Sequence, residues 1–211
     1  AYINGIILSG EKDMVPVEGM VIFTENGRIS AIEKQGVSTE GWEGIDLNGS
    51  YIMPGLINMH VHIPGSGKPK KKQSDVKKLV KLVTANALMK KISYKMCQSY
   101  VKPELFSGVT TLRSMGGILD YDARLRDEIA AGGCVGPRIV ASNMAVSVPG
   151  GHMAGSLAYE AHSAEEAAEL VRRVADTKPD VIKLITLRCF SFCACSISNT
   201  VPFSLLTSFV G

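Results

Sequence analysis

Apolar residues arrive in two rhythms along this chain. From Tyr2 to Met53 they come in short runs broken by glycine: Ile6-Ile7-Leu8, Met20-Val21-Ile22-Phe23, Arg28-Ile29-Ser30-Ala31-Ile32 and Ile45-Asp46-Leu47. Runs of that length between turn residues predict strands. Glu25-Asn26-Gly27-Arg28 reads as the turn of a hairpin, because Asn-Gly supplies the positive φ angles a tight turn requires. A small β domain is expected here.

After Pro54-Gly55 the rhythm becomes strand, helix, strand. Leu56 to Ile63 reads as a buried strand, and Val76, Leu79, Val80, Val83 and Ala87 then recur at helical spacing. Val109 to Arg113 predicts a second strand, followed by a helix around Leu125 and Ile129 that stops at Gly132-Gly133. Arg138 to Ser142 predicts a third. Ser163 and Glu166 form a capping box ahead of Ala167, Val171, Val174 and Ala175, and Val181 to Ile185 predicts a fourth strand. Such alternation indicates parallel βα units, in a barrel or a doubly wound sheet. From Leu187 the pattern is lost: no charged residue follows Arg188, and Ser, Cys, Phe and Thr dominate. Five serines, two threonines, Asn199 and Pro202 make that tail a poor membrane helix.

Charge changes this picture little. A net charge of +3 over 211 residues demands neither nucleic acid nor an anionic membrane as partner. Lys68, Lys70, Lys71 and Lys72, continued by Lys77, Lys78 and Lys81, form a local basic run without interleaved aromatics, which reads as a solvated face. The opening Ala1-Tyr2-Ile3-Asn4-Gly5 lacks the features of a secretory signal. Five cysteines without a disulfide framework agree with a reducing compartment, so a cytoplasmic location is expected. Cys189, Cys193 and Cys195 cluster, but nothing beside them completes a zinc-finger pattern.

The chemistry gathers at His60 and His62. One residue apart on a strand, their side chains project from one face, where two imidazoles can grip one cation. They stand at the end of the first parallel strand, where such barrels build their sites. Pro64-Gly65-Ser66-Gly67 is the loop leaving that strand and not a phosphate-binding loop, since position 62 is histidine where a glycine is required.

Tyr51-Ile52-Met53-Pro54-Gly55-Leu56-Ile57-Asn58-Met59-His60-Val61-His62 resembles the signature of the amidohydrolase superfamily, with Gly108 to Arg113 and Gly136-Pro137-Arg138-Ile139 extending the likeness. The resemblance covers about residues 1 to 186 and points to the branch of imidazolonepropionase-like enzymes and Xaa-Pro or Xaa-Arg dipeptidases. It implies an α/β fold: a β-sandwich segment over residues 1–53, the first part of a (β/α)8 TIM barrel over 54–186, and an atypical tail over 187–211. It also implies His60, His62 and Lys183 as metal-holding residues. Lys183 would take up carbon dioxide and become a bridging carbamate, which requires the neutral amine that burial favours. The bland alternative is a lysine snorkelling to solvent. His152, in Pro149-Gly150-Gly151-His152, matches a histidine facing the substrate's carboxylate; its alternative is an exposed loop histidine. His162 reads as a surface residue leading a helix.

The function implied is hydrolysis of a C–N bond in an amide, cyclic amide or dipeptide, through a hydroxide held by two divalent metals, most often zinc, with manganese and nickel also suited. A whole barrel takes about 250 residues, whereas Tyr51 to Thr186 offers 136. The later histidines and aspartate of the family site are therefore expected to be missing, with a truncation or frameshift near Leu187. The rival expectation is a non-catalytic remnant or weak metal-binding module that pairs its open barrel edges with another copy.

Overall fold

The computed structural model describes residues 1–67 and 75–186. The basic run at Lys68, Lys70, Lys71 and Lys72, the tail and its three cysteines lie outside the described residues. Two compact units are distinguished, Ala1–Gly55 and the described residues from Leu56 onward.

The first unit is one mixed sheet of five strands: β1 (Tyr2–Ile7), β2 (Val17–Glu25), β3 (Arg28–Lys34), β4 (Ile45–Asp46) and β5 (Tyr51–Ile52). Its order is β3-β2-β1-β4, with β5 also on β1. The first two pairings are antiparallel, and β4 and β5 run parallel to β1. The expected sandwich segment thus takes the form of a single mixed sheet. Asn26 and Gly27 turn between β2 and β3 with φ of +53° and +74°, the geometry that asks for Asn-Gly. Val21 and Phe23 project from one side of β2 and pack with Ala1, Ile3 and Ala31.

The second unit alternates strands and helices: β6 (Leu56–Val61), α1 (Val76–Val83), α2 (Ala87–Phe106), β7 (Val109–Ser114), α3 (Tyr121–Ala130), β8 (Arg138–Val140), β9 (Ala145–Ser147), β10 (Ala158–Glu160), α4 (Ala164–Ala175) and β11 (Leu184–Ile185). Two three-stranded sheets result, β6-β7-β8 and β10-β9-β11, parallel throughout. Neither closes on itself, so the architecture is α/β and matches part of a TIM barrel. One core packs Tyr94, Cys97 and Val101 of α2 and Tyr121 and Leu125 of α3 against Leu112 and Ile139 of the first sheet. A second packs Val174 of α4 against Val146 and Ile182.

Several boundaries differ from the sequence expectation. The helix expected from Val76 through Ala87 is two helices. The Thr84 hydroxyl donates to the Val80 carbonyl at the end of α1, and the Asn86 side chain accepts from Met89 N at the start of α2. The third strand, expected over Arg138 to Ser142, ends at Val140, ahead of a link in which Asn143 takes a φ of +55°. The fourth is shorter than Val181 to Ile185, although Val146 N donates to Lys183 O and holds that segment alongside β9. At the head of α4, Ser163 accepts from Glu166 N as expected, while the Glu166 carboxylate receives His162 N instead of the cap's own N–H.

Strand β6 has no described neighbour on its second edge. Leu56, Ile57 and Met59 are 51%, 62% and 52% exposed, unusual for the first strand of a βα array. Among the described residues no helix is long and apolar enough to cross a membrane.

Candidate metal centre

Parallel pairing of β6 with β7 sets Val61 opposite Ser114, and Met115 N donates to Val61 O at 2.9 Å. The chain then turns at Gly116, φ +129°, across the end of β6. A Cβ on Gly116 would only reach ordinary contact with the His62 ring at 3.5 Å, so it is the backbone angle that favours glycine. The Gly116 carbonyl lies 2.9 Å from His62 Nδ1. A carbonyl can only accept, so Nδ1 carries the proton and Nε2 keeps its lone pair. That is the arrangement in which a histidine ligates through Nε2.

The His60 ring stands 5.4 Å from that of His62, at 70° to it. Burial is the largest cause lowering the pKa of each below the ordinary histidine value. Lys183 and His152 act in the same direction on both, joined by Arg113 at His60 and by His60 at His62. For His62 the bond to Gly116 opposes these. Both imidazoles are thus biased toward the neutral form that binds metal.

Lys183 is 2% exposed, in the segment leading into β11. Its carbonyl accepts from Val146 N. Burial lowers its pKa first, and the Arg113 guanidinium second. The sequence gives no hint of Arg113's placement: its Nε donates to Met59 O at 2.9 Å across the two strands, beside His60. His152 is exposed on the loop after β9. Gly150 there has φ +70°, and a Cβ on Gly151 would collide with the Ser147 hydroxyl. His162 sits at the head of α4, in keeping with its surface reading.

A second unforeseen residue lies against Gly117. Asp122, in the first turn of α3, is completely buried. Its Oδ2 accepts from Ser114 Oγ at 2.6 Å and from Asn143 N at 3.1 Å, while Oδ1 has no partner. Burial pushes its pKa up to about 6. In the sequence it is one more acid at a helix start, a common place for acids.

Two imidazoles biased toward the neutral form and the Lys183 amine suit a divalent cation as part of a ligand set. The set is partial: no group of three or more His, Cys, Asp or Glu able to hold a metal forms among the described residues. A cavity of about 470 Å³ between α3 and β8, lined by Arg126, Ile129, Arg138 and Asp180 among others, includes none of these residues.

Residues 51–192 match the model of the amidohydrolase family. A dihydroorotase of Trichlorobacter lovleyi is 35% identical over 66 residues, which is 29% of this chain and 16% of that protein. Among solved structures, an amidohydrolase superposes with a TM-score of 0.70 at 24% identity, over 87% of this chain and 45% of the other. A Xaa-Pro dipeptidase with methionine bound in its active site gives 0.66 at 25% identity, over 87% and 46%. The chain therefore spans less than half the length of these solved structures.

Proposed function

This chain belongs to the amidohydrolase family, and on that footing we propose that it supplies the opening part of a metal-dependent site that hydrolyses a C–N bond. The observation that carries this is the fixed orientation of His62, whose Nδ1 is held by Gly116 O while its ring stands 5.4 Å from that of His60, with Lys183 near enough to lower the pKa of both. His60, His62 and Lys183 would hold the metal. A divalent ion such as zinc supplies a Lewis acid that polarises a carbonyl and brings the pKa of water close to neutrality.

The chain's own residues do the rest of the work described here. Lys183, buried and beside Arg113, is biased toward the neutral amine. Attack of that amine on carbon dioxide forms an N–C bond, releases the proton to water and leaves a carboxylate where a cationic side chain stood. Arg113 then faces an anion and favours it. His152, exposed on its glycine loop, would receive the substrate's carboxylate. Between dipeptide and cyclic amide, likeness to a Xaa-Pro dipeptidase over 87% of the chain weighs more than a dihydroorotase match over 66 residues.

Zinc titration tests the reading: the chain should bind the ion weakly, and that binding should be lost in His60→Ala with His62→Ala. Tight stoichiometric binding that survives both changes would remove these residues from the site. A second reading draws on the exposed apolar residues of β6: the chain acts as an associating module through that open edge. Sedimentation over a concentration series checks it, and a strictly monomeric chain would exclude it.

A further inference from the structure

We propose that Asp122 is a positioning residue for His62, acting through the Met115-Gly116-Gly117 turn. This rests on the reading of His62 as a metal ligand. Both ends of the turn are tied to Asp122. Ahead of it, Ser114 Oγ donates to Asp122 Oδ2 at 2.6 Å. Behind it, Gly117 N donates at 2.7 Å to the carbonyl of Asn143, whose own N–H donates to the same Oδ2 at 3.1 Å. Asn143 is itself immobilised: its side chain accepts from Ala123 N and donates to Thr177 O and Oγ1. Gly117 completes the fit, because a Cβ there would overlap the Asp122 carboxylate. The peptide that presents Gly116 O to His62 Nδ1 is therefore clamped from both sides.

Asp122 Oδ1 is a buried polar atom without a partner, which costs about 1–3 kcal/mol. An apolar side chain would avoid that cost but would leave the buried Ser114 hydroxyl and Asn143 N–H without their acceptor. What the carboxylate provides is a double acceptor that joins the end of β7 to the link between β8 and β9. Through Gly116 this selects one of the two tautomers of His62, as outer partners of ligating histidines do.

The test is nitrogen-15 labelling of the whole chain without metal, with long-range proton–nitrogen spectra of the imidazoles at alkaline pH. His62 is expected as the Nδ1–H form in the unaltered chain and as a mixture in Asp122→Ala and Gly117→Ala. Asp122→Asn keeps an oxygen acceptor and should restore the single form, and His162 should read the same in every variant. Zinc affinity should follow, weakened about 10- to 100-fold in Asp122→Ala and recovered in Asp122→Asn. If Asp122→Ala does not fold, Ser114→Ala removes one anchor alone and should give a partial mixture. A folded Asp122→Ala or Ser114→Ala in which His62 remains wholly Nδ1–H overturns the proposal. Loss of the single tautomer in a chain that never binds zinc would overturn the metal reading and leave this one standing.

Discussion

At the scale of single residues, the site is an exercise in keeping bases neutral. His60, His62 and Lys183 are each pushed toward the uncharged form by burial and by neighbouring cations. Two imidazoles supply only half the ligands of a tetrahedral cation, and Lys183 would add one only once it carries a carboxylate. Zinc loaded into this chain should be lost on dialysis against a weak chelator, and retention at one ion per chain would contradict that. In a version carrying the whole barrel, Lys183→Ala should abolish most activity, with partial recovery on adding a short carboxylic acid. Unchanged activity would make Lys183 an ordinary strand lysine. Asp122 bears on stability in the opposite sense from most carboxylates. Its folded pKa of about 6 lies above the reference of 3.8, so the folded chain binds this proton more tightly. The contribution is complete below the unfolded value and disappears as pH rises through 6, a change of about 3 kcal/mol. Urea titrations of the unaltered chain and Asp122→Asn should therefore diverge between acid and neutral pH, the former losing ground. Parallel curves would show the carboxyl is not perturbed.

At the scale of elements, those with one strong local signal were legible in the sequence. Ser163 caps α4 as its spacing predicts, and Ser163→Ala should lower stability by about 1 kcal/mol, measurable by thermal melting. No change would mean that Glu166 and packing hold the helix start unaided. The Asn26-Gly27 hairpin and the positions of the first two strands of the second unit were equally readable, although β6 is largely exposed where a buried strand was expected. Helix α2 was not, beyond Ala87 at its start. The residues it buries, Ser93, Tyr94, Cys97 and Val101, mix hydroxyls with apolar groups, and Leu88 and Ile92 on the same helix face outward. Its apolar period is therefore blurred, and tertiary bonds such as Ser93 with Tyr121 replace it. Strand β10 is three residues long and exists by pairing with β9. His60 and His62 announce themselves because two identical ligating side chains share one strand face. Asp122 does not, since its role depends on Ser114 and on Asn143, 21 positions away.

At the scale of the whole molecule, the described residues bring together too few donors for an amidohydrolase site, and the chain by itself should not hydrolyse dipeptides or cyclic amides at an enzymatic rate. Losing a well-placed proton-transfer group alone typically costs about 10²- to 10⁴-fold. Metal-loaded protein assayed against Xaa-Pro, Xaa-Arg and cyclic-amide substrates decides the matter. Turnover abolished by His60→Ala would restore the chain to the working enzymes. Family membership and the α/β class follow from motifs near the start of the second unit, whereas substrate choice depends on loops distributed around an entire barrel. The open edge of β6 has a consequence inside a cell as well. Among the described residues, Leu56 to Val61 is a short extended run with no strand on its second edge and with Leu56, Ile57 and Met59 exposed. Chaperones and proteases of the quality-control machinery engage chains that expose such surfaces. The amount of this protein present would then be governed by how quickly that strand is covered, and a substitution that blunts it, such as Ile57→Lys, would change abundance before it changed any reaction.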